Sequence, residues 1–378
     1  MMKIQMVDLQ GQYKRLKKEM DAAIKEVILG ASFINGTQVS TFCSHLAEYL
    51  DIPYVIPCGN ATDAIRLALQ ACNVQPGDEI IIPAFTYIAP AEMAASLGLI
   101  PVLVDVVSET FNINTDLLER AITRQTKAII VVHLFGQSCD MEPVMKLAEK
   151  YKIFVIEDNA QSMGASYTFS NGMTKKTGTI GHIGITSFFP TKPLSCYGDG
   201  GAVMTSNGEL AARISMMANH GQTQKYHHKV IGCNSRLDTI QAAILNVKLK
   251  YMDDFTRRRQ QVARYYDQTL STLSELRIPE KASYSTHVYH QYTLRVKNDL
   301  RDTLQAHLRA SGIPSNVYYP FAIHEQEAYK WVARLSGNVN ESSHLCKEVL
   351  SLPIHSEMTD EMMQFITDSI VGFMRNGK

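Results

Sequence analysis

"KIFVIEDNAQS", residues 152–162, runs four apolar residues directly into two neighbouring carboxylates, Glu157 and Asp158. A short continuous apolar run reads as a strand buried on both faces, and such strands belong to parallel sheets covered by helices. Neighbouring strand residues point to opposite faces. One carboxylate is therefore expected over the C-terminal edge of the sheet, where open α/β sheets bind ligands, while the other finds a different partner. A structural or solvated pair is the competing explanation of these two acids.

Working outward, "DEIIIPA", "IPVLVDV", "KAIIVVHLF" and "GITSFFP" repeat the texture, separated by helical stretches such as "ATDAIRLALQAC" and "MEPVMKLAEKY". Alternation of this kind predicts an α/β fold with a mostly parallel sheet. Near the N-terminus, "YKRLKKEMDAAIKEVIL" puts Leu16, Met20, Ile24, Val27 and Ile28 on one helical face. From about Asn234 one long helix is expected through "RLDTIQAAILNVKLKYMDDFTRRRQQVARYYDQTL", bridging two domains. Beyond it, "HVYHQYTLRV" alternates like an antiparallel strand, and "RDTLQAHLRASG" and "TDEMMQFITDSIVGFM" read as helices. The expected division is a large α/β domain over 1–250 and a smaller α+β domain over 251–378.

The 378 residues carry 37 basic and 37 acidic side chains, so no global field draws the protein to nucleic acid or to an anionic membrane. A small ligand is expected. The start, "MMKIQMVDLQ", lacks a signal-peptide profile and no apolar run is long enough to span a bilayer, which predicts a cytoplasmic location. Seven scattered cysteines without a C-x-x-C pair argue against disulfides and zinc, and no metal is expected. Cys196 is read as packing, with a catalytic thiol as the minor alternative.

A second stretch, "SFFPTKPLSCYGDGGAV" (187–203), holds Lys192 between a proline and a glycine-rich turn. It is either a solvated loop lysine or an amine held out of water as a nucleophile. Three features favour the second. Asn60 in "CGNATDAI" can cap a helix whose free N–H groups at Ala61, Thr62 and Asp63 suit an anion such as phosphate. Ser187 ends a buried strand just before Lys192. "PAFTYIAPAE" sets Phe85 and Tyr87 beyond another strand, where a ring can stack on a flat ligand. Phosphate donors, a stacking ring, a buried carboxylate and a lysine together describe a pyridoxal phosphate site.

The chain resembles the DegT/StrS family of sugar aminotransferases through "NATDAI", "PAFTYIAPAE", "VVHLFGQ", "VIEDNAQSMGA", "TSFFPTKPLSCYGDGGA", "GCNSRLDTIQAAIL" and "VYYPFAIHEQEAY". The resemblance implies an aspartate aminotransferase-like fold (fold type I), with a mostly parallel seven-stranded sheet in the large domain. It implies that Lys192 is the Schiff-base lysine, that Asp158 partners the pyridine nitrogen and that Gln161 bonds the phenolic oxygen. Ala61, Thr62 and Ser187 would bind phosphate and Tyr87 would stack on the ring. Asn234 would reach the phosphate of a neighbouring subunit, implying a homodimer with shared sites. Many relatives have glycine at the position of Ala61; at a helix N-terminus alanine keeps the needed amide. Relatives with histidine in place of the lysine are dehydratases, so Lys192 points to amino transfer.

Substrate candidates are Tyr226, His227, His228, Arg236, Tyr318 and Tyr319. A guanidinium at Arg236 can grip a carboxylate or phosphate in a bidentate manner, with an ion pair to Asp238 or another buried acid as the alternative. For the two histidines and Lys225 a solvated loop is the alternative. The motifs look most like the branch that aminates UDP-2-acetamido-2-deoxy-3-oxo-glucuronate with L-glutamate as donor, in O-antigen or capsule synthesis. Another 3-oxo or 4-oxo nucleotide sugar, linked to dTDP, UDP or GDP, and a non-catalytic regulator that binds the cofactor, are the competing readings. A nucleotide-binding dehydrogenase is excluded by the lack of G-x-G-x-x-G after the first strand.

Overall fold

The structure is a computed structural model that describes residues 3–376. Among the described residues the central sheet has eight strands, in the spatial order Tyr54–Cys58, Gly201–Thr205, Ile183–Ser187, Phe154–Asp158, Thr126–Val132, Glu79–Pro83, Ile100–Val104 and Arg334–Leu335. Gly201–Thr205 alone runs against its neighbours. The other pairings are parallel. Seven strands match the expectation; the eighth is a correction, a two-residue edge strand from the C-terminal third. Arg334 Nε reaches Glu79 Oε1 at 2.9 Å and holds it there.

Strand residues alternate between two apolar layers. Ile80, Ile82, Ile130 and Ile156 pack with the helices Ala61–Ala71, Ala89–Ser96 and Gly208–Ala218. Ile81, Ile129, Val131 and Val155 face the other way, against Met141–Tyr151. Burial on both faces is why these runs carry no polar residue until the strand ends, each full burial contributing about 1.5–3 kcal/mol. A third layer, Phe42, Leu46, Phe188, Leu194, Cys196 and Ala242 among others, lies under the segment that carries Lys192.

Two helical expectations are corrected. The long helix after Asn234 is two helices, Thr239–Leu249 and Met252–Leu270, meeting at Lys250 and Tyr251. The first is buried on nearly every side between Leu9–Gly30 and Thr37–Leu50, whereas the second must turn to deliver Val262, Ala263, Tyr266 and Leu270 to the C-terminal core. Leu16, Met20 and Val27 of the first helix are buried as expected, but Ile28 is 53% exposed because nothing among the described residues covers the last turn on that side.

The C-terminal core surrounds an antiparallel sheet of Leu276–Arg277, Tyr292–Val296 and Val349–Leu352, closed by Arg301–Ala310 and Asp360–Asn376. Ile4, from the other end of the chain, packs into it.

Candidate active site

A cleft of about 710 Å³ opens where the C-terminal ends of the parallel strands meet the C-terminal body. Asn60, Ala61, Thr62, Tyr87, Asp158, Gln161, Ser187, Lys192, Tyr318 and Tyr319 all line it. These ten come from five separate parts of the chain, four of them brought together by strands of the central sheet that end on the same edge.

At one end the helix Ala61–Ala71 begins. The Asn60 side chain accepts the Asp63 N–H at 2.8 Å, as its capping role requires. This leaves the first-turn amides of Ala61 and Thr62 facing the cleft with the positive end of the helix dipole behind them. Ala61 keeps a right-handed backbone, so alanine fits where left-handed geometry would have favoured glycine. Gly201 packs beneath: a Cβ there would come within 2.6 Å of the Asn60 carbonyl carbon and 2.9 Å of the Ala61 nitrogen, closing the cradle. Ser187, ending its strand, contributes a hydroxyl to the same cleft.

At the other end lie the two ionisable groups. Burial pushes the Asp158 carboxyl above its ordinary range, opposed by the Ala160 N–H bond at 3.0 Å and by the charge of Lys192. Burial also pushes the Lys192 amine below its ordinary range, opposed by Asp158. Both groups are thus shifted toward their neutral forms, and the neutral form of an amine is the nucleophilic one. The Lys192 N–H closes a turn on Phe189 O at 2.8 Å, which aims the side chain inward from Pro190 and Thr191. Lys192 is half-buried and lines the cleft.

Gln161 is held from both sides: its Oε1 accepts the Phe135 N–H at 2.8 Å and its Nε2 donates to the Tyr319 hydroxyl at 3.1 Å. The Tyr319 ring sits 6.2 Å from that of Tyr87, which is 57% exposed toward the cleft. Burial raises the Tyr319 hydroxyl, so it stays protonated.

Asn234, Arg236, Tyr226, His227 and His228 do not line the cleft of their own chain. Asn234 pairs with Asn219 across an isolated bridge. Tyr226 is 79% exposed, and His227 and His228 form a short exposed strand against Gln222–Gln224. Arg236 is half-buried, and among the described residues it has no ion pair; the expected alternative partner Asp238 does not hold it. Cys196 is fully buried and its thiol is pushed up to about 11 by burial, which makes it a packing residue. Among the described residues no group of histidines, cysteines and carboxylates could hold a metal ion.

Sequence reasoning missed His290 and Gln291. Both line the cleft, and His290 Nδ1 and Gln291 Oε1 are buried without a hydrogen-bond partner. The strand expected over "HVYHQYTLRV" is corrected to Tyr292–Val296; His290 and Gln291 lie in the irregular segment before it, and nothing local marked them as facing a site formed by distant segments. His133 was missed too. Its Nδ1 accepts the Cys139 N–H at 3.0 Å, so the proton sits on Nε2 and is donated to Glu157 at 2.8 Å. That is the different partner expected for the second carboxylate.

The profile of the DegT/DnrJ/EryC1/StrS aminotransferase family matches residues 14–371. The chain belongs to this family. As a DegT/DnrJ/EryC1/StrS protein it is a sugar aminotransferase with the fold type I α/β architecture. It is 42% identical to the pleiotropic regulatory protein of Geobacillus stearothermophilus, over 99% of this chain and 100% of the relative. It is equally 42% identical to UDP-2-acetamido-2-deoxy-3-oxo-D-glucuronate aminotransferase of Pseudomonas aeruginosa, over 96% of this chain and 98% of that one. The crystal structure of S. venezuelae DesV in complex with a ketimine intermediate superposes with a TM-score of 0.94 at 34% identity, covering 100% of both chains.

Proposed function

We propose that this family member moves an amino group from L-glutamate to the keto group of a nucleotide-linked sugar with pyridoxal phosphate as cofactor. UDP-2-acetamido-2-deoxy-3-oxo-glucuronate is the proposed acceptor, in the cytoplasmic synthesis of a surface polysaccharide. The observation that carries the reading is the pairing, in one cleft, of the amine and carboxylate of Lys192 and Asp158 with an open helix N-terminus at Ala61 and Thr62. The residues fit the cofactor: two first-turn amides and the Ser187 hydroxyl for its phosphate, Tyr87 for its ring, Asp158 for its ring nitrogen and Gln161 for its phenolic oxygen. The acceptor rests on the Pseudomonas aeruginosa relative. Among the described residues no helix is long and apolar enough to cross a membrane.

Bound there, pyridoxal phosphate supplies an aldehyde that exchanges amines and a ring that takes up electron density. The chain does the rest. Lys192 would provide the nucleophilic amine and, as a free amine, would move the proton at the substrate carbon. Asp158, against the ring nitrogen, favours the protonated ring. Gln161, fixed by Phe135 and Tyr319, would hold the phenolic oxygen of the cofactor, and Tyr318 and Tyr319 would keep bulk water from the reacting end.

A homodimer with shared sites is part of this proposal, on grounds of charge. The cleft is lined by Asp63, Glu92, Asp158 and Asp199, and Lys192 is the single lysine or arginine among its lining residues. Glutamate and a nucleotide sugar are both anions, so further cations must reach the cleft. Arg236, Lys225, His227 and His228, on a surface segment of a second copy, are the proposed source, with Asn234 reaching the phosphate. The proposal also takes residues 1–250 as the cofactor-binding body and 251–378 as the smaller one, dividing at the Lys250–Tyr251 break.

Visible absorbance of the purified protein with pyridoxal phosphate, before and after L-glutamate, tests the reading. A band near that of a lysine-bound cofactor that L-glutamate bleaches is expected, followed by turnover of the 3-oxo-uronate. Turnover of a dTDP- or GDP-linked, or a 4-oxo, sugar instead would move the acceptor to another branch. The Geobacillus stearothermophilus relative favours one other reading, a cofactor-binding regulator; a band indifferent to every amino donor would favour it.

A further inference from the structure

Asp63 sits in the first turn of the helix whose amides face the cleft, where a carboxylate would repel a bound phosphate. Its side chain is drawn elsewhere. Oδ2 accepts the Ser235 hydroxyl at 2.7 Å, and the Ser235 oxygen in turn accepts the Gly59 N–H at 2.9 Å. The Asn60 amide adds a bond to the same carboxylate oxygen at 3.4 Å. Ser235 is 2% exposed, while its neighbours Asn234 and Arg236 are exposed and half-buried. On an extended segment this alternation sends one side chain inward and the two beside it outward. Gly59 lies against the junction, its Cβ position at ordinary contact distance of 3.4 Å from Asp63 Oδ2 and Ser235 Oγ and 3.7 Å from the Arg236 carbonyl.

We propose that the Gly59–Asp63–Ser235 junction is a latch that fixes the outward-facing pair Asn234 and Arg236 against the start of the anion-binding helix. This rests on the proposed function, in which the helix start holds a phosphate of its own chain and the pair serves a neighbouring copy. Ser235 is then a positioning residue for two sites at once. Its hydroxyl hydrogen-bonds both Asp63 and Gly59 of the cradle from within the arm, so its loss loosens both.

The test uses the full-length dimer with pyridoxal phosphate and L-glutamate as probes. Ser235→Ala is expected to weaken cofactor binding about tenfold, the size of one hydrogen bond. It should also raise the L-glutamate concentration at half-maximal bleaching about tenfold and leave the limiting rate within about twofold, the pattern of lost positioning rather than lost chemistry. Asp63→Asn retains an acceptor for the Ser235 hydroxyl and should keep the wild-type amide exchange across residues 233–237, whereas Asp63→Ala should show the faster exchange of Ser235→Ala without adding to it. Ser235→Ala with unchanged cofactor and glutamate constants, lowering only the melting temperature, overturns the latch. Amide hydrogen exchange across residues 233–237 decides independently of the cofactor: faster exchange in Ser235→Ala supports the latch and unchanged protection overturns it. A wild-type protein that never takes up pyridoxal phosphate would instead defeat the functional reading alone.

Discussion

Glu157 and Asp158 are adjacent buried carboxylates on one strand, and the two faces of the sheet treat them in opposite ways. Behind the sheet, Glu157 accepts the N–H groups of Gly178 at 2.8 Å, Ile180 at 2.6 Å and Gly181 at 2.5 Å, and the ring proton of His133 at 2.8 Å. In front, Asp158 accepts the Ala160 N–H, and burial raises its pKa. A buried carboxylate with a full set of donors holds the fold together; one left short of donors is open to a ligand. The same contrast separates two lysines. Lys248, buried below the lysine segment, donates to Ser195 Oγ at 3.0 Å and lies over the Tyr197 ring, whereas Lys192 has Asp158 and the open cleft before it.

Replacing the front-face amine should have the greatest effect. Lys192→Ala is expected to lose the glutamate-bleachable band and to lower amino transfer by about 10⁴-fold or more, since it removes both nucleophile and proton carrier. The cofactor should still bind through the helix start, which dialysis against pyridoxal phosphate would measure. Retained bleaching by glutamate would assign the chemistry to another amine.

Asp158→Asn comes next, with an expected fall in kcat of about 10²- to 10³-fold, the size typical of one preorganised electrostatic partner. Its effect on stability has the opposite sign. Because burial raises the folded-state pKa, the folded protein holds this proton more tightly than the unfolded chain does. Stability of the cofactor-free protein therefore falls as pH rises from the unfolded carboxylate range, about 3.9, through the folded value. Cofactor-free Asp158→Asn should be the more stable protein at neutral pH, with the advantage vanishing below that window. Urea titrations at two pH values would show it.

Glu157→Gln should invert that pattern. Losing the charge that collects three backbone donors and a histidine is expected to destabilise by about 3 kcal/mol, while kcat of the folded fraction changes little. A kcat loss as large as that of Asp158→Asn would abolish the distinction between the two faces.

The front face was legible because its signals are local. Apolar runs of strand length, a capping asparagine before a helix and a lysine beside a glycine turn each sit within about ten residues of sequence. Gly201–Thr205 and Tyr54–Cys58 were not read as strands: one follows the glycine turn, the other contains Pro57, and pairing across the sheet defines them, Gly201–Thr205 with both Tyr54–Cys58 and Ile183–Ser187. His290, Gln291 and His133 were silent because their roles come from contacts across the fold. Asn234 and Arg236 look like site residues in sequence yet lie outside their own chain's cleft, which single-chain packing explains only through the inward turn of Ser235.

A third buried carboxylate, Glu79, lies at the far end of the sheet and should fall between the other two. Burial opposes its ionised form, but bonds from Thr123 at 2.6 Å and Arg334 at 2.9 Å prevail and hold it below the ordinary carboxylate range. A depressed pKa contributes stability that is present above the unfolded carboxylate value and is lost as pH falls through the folded one. Arg334 is partly exposed, so solvent screens the pair, and Arg334→Gln should cost about 0.5–1 kcal/mol at pH 7 with amino transfer unchanged. Urea unfolding at pH 7 and again below the Glu79 window should show that cost shrinking as the carboxylate protonates. A cost that persists at low pH would mean that Arg334 acts through its bond to the Ala121 carbonyl, and that the eighth strand is held by backbone rather than by charge.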